Sequence, residues 1–215
     1  TTTSSSATVT ITVSAINDPP TATTQSVSGN EEGTQTIILA GTDFDGDSLT
    51  YALASNPSNG SATLSANVVT YTPMANWSGS DSFTFTVSDS TVTSSAATVS
   101  ISVAAVNDNP TLADIGNQSI TQGTPLMFSL SGSDVDGETL TYSVSGNPPG
   151  SSLSDSTFSW TPGYNQTGNY SVTFTVLDSQ GGSDSETVTI SVGDINRPPT
   201  MGAIADQTVA EGTAL

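Results

Sequence analysis

The chain has 215 residues and a net charge of −19, because 20 Asp and Glu stand against one basic residue, Arg197. This balance excludes nucleic acid as a partner, since nothing can neutralise phosphates, and argues against binding to an anionic membrane surface. The absence of His and Cys disfavours zinc and copper sites and rules out disulfides.

Alternating apolar and polar residues predict β-strands along the whole chain. The first such run is Thr8–Val13. Further strands are predicted, in chain order, near Gln25–Gly29, Thr34–Ala40, Leu49–Ala54, Ser82–Ser88, Thr98–Val103, Val172–Val176 and Thr187–Val192. Val and Thr favour a half-buried pleated surface, and Gly, Pro, Asn and Asp separate the runs. No helical pattern and no apolar stretch of about 20 residues is present, which predicts an all-β chain without direct membrane insertion.

Four sequence blocks recur with a period of about 90 residues. Asp43–Tyr51 (DFDGDSLTY) returns as Asp134–Tyr142 (DVDGETLTY), and Phe83–Ser90 returns as Val172–Ser179. Tyr71-Thr72-Pro73 returns as Trp160-Thr161-Pro162. The linker sequence Asn107–Pro110 matches segments that begin at Asn17 and at Asn196.

This period divides the chain into two complete repeats and two partial ones. We predict the last strand of a preceding repeat at 1–16, repeat 1 at 17–106, repeat 2 at 107–195, and the start of a following repeat at 196–215. Units of this length with about seven short strands predict tandem immunoglobulin-like Greek-key β-sandwiches. Since the chain begins without Met and shows no signal peptide, we expect it to be a piece of a longer protein.

The acidic residues are predicted to gather at the poles of the sandwiches, because alternate loops of a Greek key lie at opposite ends. The N-terminal pole of repeat 1 is expected to carry Asn17, Asp18, Asp43, Asp45, Asp47 and Asp89. Its C-terminal pole is expected to carry Glu31, Glu32 and Asp81, beside Asn107 and Asp108. The N-terminal pole of repeat 2 then adds Asp134, Asp136, Glu138 and Asp178.

So many carboxylates require a cation. Two of them about 4 Å apart repel by roughly 4 kcal/mol at an effective dielectric of 20. Ca²⁺ fits best, because it accepts six to eight oxygen ligands in loose geometry. An EF-hand is excluded, since the required bidentate Glu would fall at Ala54. The alternative is a solvated turn, for which Asp and Gly are also suited.

In combination, these motifs resemble bacterial cadherin-like tandem repeats. Repeat 1, with Thr70–Pro73 leading to Asp81–Thr84, is similar to repeats of giant surface adhesins, and repeat 2 to the dystroglycan-type variety. The resemblance implies calcium at the linkers between repeats. Its ligands would be Glu31 or Glu32 from one repeat, Asn107 and Asp108 from the linker, and Asp134 and Asp136 from the next repeat.

Some positions depart from the cadherin-like pattern. Ala105 replaces the leading Asp of the middle linker. At the third linker Arg197 stands in place of Asp, Gln122 replaces the early Glu, and Asn169 is taken as the counterpart of Asp81. We therefore expect that third junction to bind calcium weakly or not at all.

The functional expectation is a calcium-stiffened stalk or adhesion segment of a secreted or cell-surface protein, and not an enzyme. The expected partners are calcium and, in addition, other copies of the chain or cell-surface glycans. One alternative is a carbohydrate-binding accessory module of a secreted polysaccharide-active enzyme, in which Tyr71, Trp77, Trp160 and Tyr164 form a sugar platform rather than core. The other is a set of self-associating filament or adhesion repeats.

Overall fold

A computed structural model describes residues 1–206 and 208–212. It divides into two compact units, Thr1–Asn107 (unit 1) and Asp108–Leu215 (unit 2). The described residues are all β-strand, turn or irregular structure. Among them there is accordingly no helix of the length and apolar character needed to cross a membrane.

Unit 1 is a two-sheet sandwich. Its strands are β1 Thr21–Ala22, β2 Gln25–Asn30, β3 Gln35–Ile38, β4 Gly41–Thr42, β5 Thr50–Ser55, β6 Gly60–Ser65, β7 Val68–Pro73, β8 Gly79–Ser88 and β9 Ala97–Ala104. One sheet has the order β2-β9-β8-β5 and the other β3-β7-β6, while β1 pairs with β4. The β2–β9 pair is parallel and the other pairs are antiparallel.

The core of unit 1 follows from the period-2 alternation of its strands. In β9 every second residue is buried, and Thr or Ser between them faces outward. The neighbouring strand β8 buries Phe83, Phe85 and Val87 in the same way. Tyr71 and Ile37 complete the core from the opposite sheet.

Unit 2 repeats this topology. Its strands are β10 Thr111–Leu112, β11 Gln118–Thr121, β12 Leu126–Ser129, β13 Gly132–Ser133, β14 Thr141–Ser145, β15 Ser152–Ser154, β16 Thr157–Trp160, β17 Gly168–Leu177 and β18 Ser183–Gly193. The sheets have the orders β11-β18-β17-β14 and β12-β16-β15. Phe158, Phe174 and Phe128 pack in the core with ring centroids 5.2–5.5 Å apart. The all-β, tandem immunoglobulin-like prediction is thus confirmed, as are the predicted strands inside the two units.

The strand predicted at Thr8–Val13 was wrong for this chain. Residues 1–20 carry no strand, and Val9, Ile11, Val13 and Ile16 are 82–87% exposed. The matching strand β9 lies hydrogen-bonded between β2 and β8, whereas residues 7–16 have no such neighbours among the described residues. Their assignment to a preceding repeat stays a prediction.

The predicted start of a following repeat, 196–215, shows no strand in its described part. Gln207 and residues 213–215 of that segment lie outside the described residues.

Candidate metal centre

The loop between β4 and β5 forms the N-terminal pole of unit 1. Oδ1 of Asp43 accepts the backbone N–H groups of Asp45 at 2.9 Å and of Asp47 at 3.2 Å. Gly46 supplies the left-handed backbone (φ 79°) that this tight turn requires. As a result, carboxylate oxygens of Asp43, Asp45 and Asp47 all lie within 4.8 Å of one another.

The incoming linker is held on this loop. The backbone N–H of Asp18 donates to Oδ2 of Asp45 at 2.7 Å, and Nδ2 of Asn17 donates to Oδ2 of Asp89 at 2.9 Å. Asp89, only 4% exposed, also accepts the backbone N–H groups of Thr91 and Val92 through Oδ1. The hydrogen bonds from Val92 and then Asn17 hold the pKa of Asp89 below its ordinary value. The predicted gathering of residues 17, 18, 43, 45, 47 and 89 is therefore observed.

One oxygen of the loop has no protein partner. Oδ2 of Asp43 is shielded from solvent, yet it has no hydrogen-bond donor among the described residues. A carboxylate oxygen removed from water without a donor is costly unless a cation lies against it. The donor set of carboxylate oxygens fits a hard ion such as Ca²⁺.

The N-terminal pole of unit 2 repeats two of these hydrogen bonds. The N–H of Asp136 donates to Oδ1 of Asp134 at 2.8 Å, and the N–H of Asp108 donates to Oδ2 of Asp136 at 2.9 Å. Oδ2 of Asp134 is again shielded and without a donor among the described residues, and so is Oδ2 of Asp108. In both units, therefore, the Oδ2 atom of the first Asp of the loop has no hydrogen-bond donor among the described residues.

The third carboxylate of the loop differs between the units. Where unit 1 has Asp47, unit 2 has Glu138, which accepts hydrogen bonds from Gln180 Nε2 and from the N–H and hydroxyl of Ser179. Those bonds, from Gln180 and then Ser179, lower the pKa of Glu138. Asp178, the counterpart of Asp89, accepts the N–H groups of Gln180, Gly181 and Gly182 through Oδ1.

At the C-terminal pole of unit 1, Glu31 contacts the outgoing chain. The residue is 6% exposed, and its Oε1 accepts the backbone N–H of Val106 at 2.7 Å. Its neighbour Glu32 is exposed. Glu31 thus lies beside the chain that leads to Asn107, while its predicted place beside Asn107 and Asp108 stays a prediction.

Asp81 has a structural role that was missed. It is 8% exposed, and its carboxylate accepts four hydrogen bonds, from Tyr71 Oη and from the N–H groups of Ser58, Asn59 and Ser82. Burial alone raises the pKa of Asp81, but these bonds outweigh burial and lower it. Burial, and then the hydrogen bond to Asp81, raise the pKa of Tyr71 to about 12. Because both oxygens are already used, the prediction that Asp81 binds metal finds no support here.

Unit 2 replaces this pair with aromatic packing. The strand registers align Asp81 with Tyr170, since both pair with the matching Ile of the last strand, so naming Asn169 as its counterpart was wrong by one residue. The Tyr170 ring packs edge-on against Trp160 at 4.9 Å, and Trp160 stands where unit 1 has Tyr71. The hydrogen bond between Tyr71 and Asp81 in unit 1 thus corresponds to the ring contact between Trp160 and Tyr170 in unit 2.

Unit 2 has its own pair of partly buried carboxylates that bind backbone N–H groups, which the sequence interpretation also missed. Glu186 accepts the N–H groups of Ile115 and Gly116 at 2.7 and 3.1 Å, and Asp184 accepts the N–H of Leu112 at 2.8 Å. These contacts hold the segment between β10 and β11. Asp184 and Glu186 alternate with exposed residues along β18 and lie on the same inward face as Val188. This alternation is the sequence signal that could have revealed them.

The four aromatic residues of the alternative platform do not share a surface. Tyr71 is 0% exposed and Trp160 is 2% exposed, each in the core of its own unit. Trp77 packs against the core of unit 1, and Tyr164 is half-exposed. The reading of these aromatics as core is confirmed for Tyr71 and Trp160.

The sequence profile of the bacterial Ig domain family matches residues 17–102 and again 107–191. A search of curated protein sequences gives no match.

Solved structures share the fold. The EC21–23 segment of human CDH23 is 19% identical with a TM-score of 0.55, and the match covers 83% of this chain and 70% of that one. The EC22–24 segment of mouse cadherin-23 is 18% identical with a TM-score of 0.57, covering 84% and 68%. An endo-fucoidan hydrolase of glycoside hydrolase family 107 is 21% identical with a TM-score of 0.38, and the match covers 82% of this chain but only 29% of the hydrolase.

Proposed function

Because the chain belongs to the bacterial Ig domain family and carries two copies of that domain in tandem, we propose that it is a non-catalytic structural or adhesion segment of a secreted or cell-surface protein. Its repeats would act as spacers or contact modules, since the conspicuous polar groups lie on loops at the poles.

The finer proposal is that calcium binds at the N-terminal pole of each unit. The observation that carries it is the recurrence of a shielded carboxylate oxygen without a donor, on Asp43 in unit 1 and on Asp134 in unit 2. A shielded carboxylate oxygen without a donor is costly in each repeat, and a bound cation would offset that cost. The single basic residue, Arg197, belongs to neither loop.

The proposed ligands in unit 1 are Asp43, Asp45 and Asp47, with Asp18 presented by the linker. In unit 2 they are Asp108, Asp134 and Asp136. Asp89 and Asp178 shape the neighbouring loops through their backbone hydrogen bonds. We further propose that Asn107, Glu31 and Glu32, all in unit 1, are calcium ligands, because Glu31 contacts the chain directly before Asn107.

Bound calcium would replace repulsion among these carboxylates with shared coordination, and would hold each linker on its loop. Extracellular modules of this kind bind calcium with dissociation constants of about 10⁻⁴ to 10⁻³ M. At about ten times the dissociation constant, binding would stabilise a unit by roughly 1.4 kcal/mol.

Thermal unfolding with calcium and with chelator tests this proposal. The two indole N–H signals in NMR spectra report the units separately, because Trp77 belongs to unit 1 and Trp160 to unit 2. We expect calcium to raise the Tm of both units. Asp43→Asn with Asp45→Asn should remove the gain in unit 1 alone, and Asp134→Asn with Asp136→Asn should remove it in unit 2 alone.

Asp155→Asn is the matched control. Asp155 lies on the turn between β15 and β16 with φ 51°, a conformation that Asn also adopts readily. The turn lies at the same end of unit 2 as the Asp134 loop, because the N–H of Leu130 donates to the carbonyl of Ser156. Asp155 is not one of the proposed ligands, so the variant removes one nearby carboxylate and the calcium response should persist. If the paired variants and this control respond alike, calcium acts only through general charge screening and the proposed sites are wrong.

A further inference from the structure

The C-terminal pole of unit 2 carries the only basic side chain of the protein. Cζ of Arg197 lies 3.9 Å from the centroid of the Tyr164 ring, over its face. A guanidinium in this position is attracted by the negative face of the ring. In a chain with one Lys or Arg against 20 acidic residues, the place of that one cation is informative.

A buried amide side chain, that of Gln122, binds the backbone of the loop that carries Tyr164. Nε2 of Gln122 donates to the backbone carbonyl of Tyr164 at 2.7 Å, and the N–H of Gln122 donates to the carbonyl of Gly193 at 3.1 Å. Gln122 is 3% exposed. The loop that presents Tyr164 is thus tied to the end of β18, four residues before Arg197.

Matching positions of the two repeats differ together. With the offset of 89 residues that relates Tyr71 to Trp160, Tyr164 corresponds to Ala75 and Arg197 to Asp108. Gln122 takes the place of Glu31, the carboxylate that receives Val106 in unit 1. Glu31, Ala75 and Asp108 thus correspond to Gln122, Tyr164 and Arg197. The change replaces two carboxylates with an amide and a guanidinium, and a methyl group with an aromatic ring.

We propose that Arg197 acts as a built-in cation at the C-terminal pole of unit 2, holding the outgoing linker on Tyr164 without metal. This inference deepens the proposed function, since it assigns a calcium-independent linker to an otherwise calcium-dependent array. The side chain supplies the positive charge in a covalent form that no chelator removes.

Side-chain NMR on the full chain tests the inference. The Arg197 Cδ protons should be shifted upfield by the ring current of Tyr164, and the shift should be the same with calcium and with chelator. Tyr164→Leu keeps apolar bulk but removes the ring, and it should abolish the upfield shift and loosen the backbone at Asn196 and Arg197 in heteronuclear NOE measurements. Both positions tolerate change, because Tyr164 is half-exposed and Arg197 is exposed.

Arg197→Lys keeps the charge but loses the flat guanidinium. We expect the population of the ordered linker, relative to the loose one, to fall roughly two- to fivefold in Tyr164→Leu and by less in Arg197→Lys, the range expected for an exposed cation–π contact. Unchanged linker order in Tyr164→Leu would overturn the inference, and so would a calcium-dependent Arg197 shift.

The same spectra separate this inference from the calcium proposal. Calcium should move the amide signals of Asp108, Asp134 and Asp136, and leave those of Asn196 and Arg197 in place. If no amide responds to calcium, the proposed metal sites fail while the effect of Tyr164→Leu still decides the role of Arg197.

Discussion

The N-terminal poles of the two units are alike, and their C-terminal poles are not. In both units an Asp-x-Asp-Gly loop receives the linker through one backbone hydrogen bond, from Asp18 to Asp45 and from Asp108 to Asp136. At the other pole unit 1 uses Glu31 and the Tyr71–Asp81 pair, whereas unit 2 uses Gln122, the Trp160–Tyr170 pair and Arg197.

If the proposed calcium sites are correct, the two poles are under different constraints. A loop that needs a cation must keep its carboxylates in one arrangement, because each oxygen has to point at the same place. A pole that only has to close a β-sandwich can use a hydrogen-bonded carboxylate or two packed rings, since both exclude water from the core.

The largest effect on this comparison is expected from Asp81→Ala. Three backbone N–H groups and the Tyr71 hydroxyl would lose their acceptor, which should lower the free energy of unfolding of unit 1 by roughly 2–3 kcal/mol. Unit 2 should be unaffected, because Tyr170 occupies the corresponding position. Chemical denaturation followed by the indole signals of Trp77 and Trp160 measures both at once. Loss of both signals at the same denaturant concentration would contradict the separation of the units.

Glu186→Gln should have the next largest effect, and in the opposite unit. The amide can accept only through one neutral oxygen, so one of the N–H groups of Ile115 and Gly116 loses its acceptor and the other loses the negative charge of its acceptor. We expect a cost of about 1–2 kcal/mol to unit 2. Unit 1 has Ala97 at the matching position and provides the internal reference. An unchanged midpoint for Trp160 would show that these bonds do not hold the segment between β10 and β11.

The third expected effect depends on alkaline pH. Folding raises the pKa of Tyr71 from 10.0 to about 12, so the folded unit 1 keeps a proton that the unfolded chain releases. The contribution of the protonated Tyr71 hydroxyl to the stability of unit 1 is therefore complete below pH 10 and declines as the pH rises toward 12. The Tm of unit 1 should fall over that interval relative to unit 2, where Trp160 does not titrate. Tyr71→Phe should remove the difference; its persistence would assign it to another group.

Much of the fold could be predicted from the sequence because alternation is a local signal. The inward residues of β8, β9, β17 and β18 alternate with Ser and Thr, and the structure follows this parity. The N-terminal poles could be predicted as well, since turn chemistry places Asp43 and Asp134 on short loops and the Greek key brings the linker to them.

The role of Asp81 could not be predicted in the same way. Its partners Ser58 and Asn59 are more than twenty residues away in a loop without a regular pattern, and only the folded backbone brings their N–H groups together. The strand expected at Thr8–Val13 failed for a related reason. Alternation shows that a segment can pair as a strand, but it does not supply the neighbouring strands.

The most direct test of the central claim is a calorimetric calcium titration of the whole chain, repeated with each pair of Asp→Asn variants. We predict binding at both N-terminal poles, with the Asp43→Asn and Asp45→Asn pair removing one part of the binding heat and the Asp134→Asn and Asp136→Asn pair removing the other. Asp155→Asn should leave the titration unchanged. Heat that survives both pairs together, or no binding at millimolar calcium, would contradict the account.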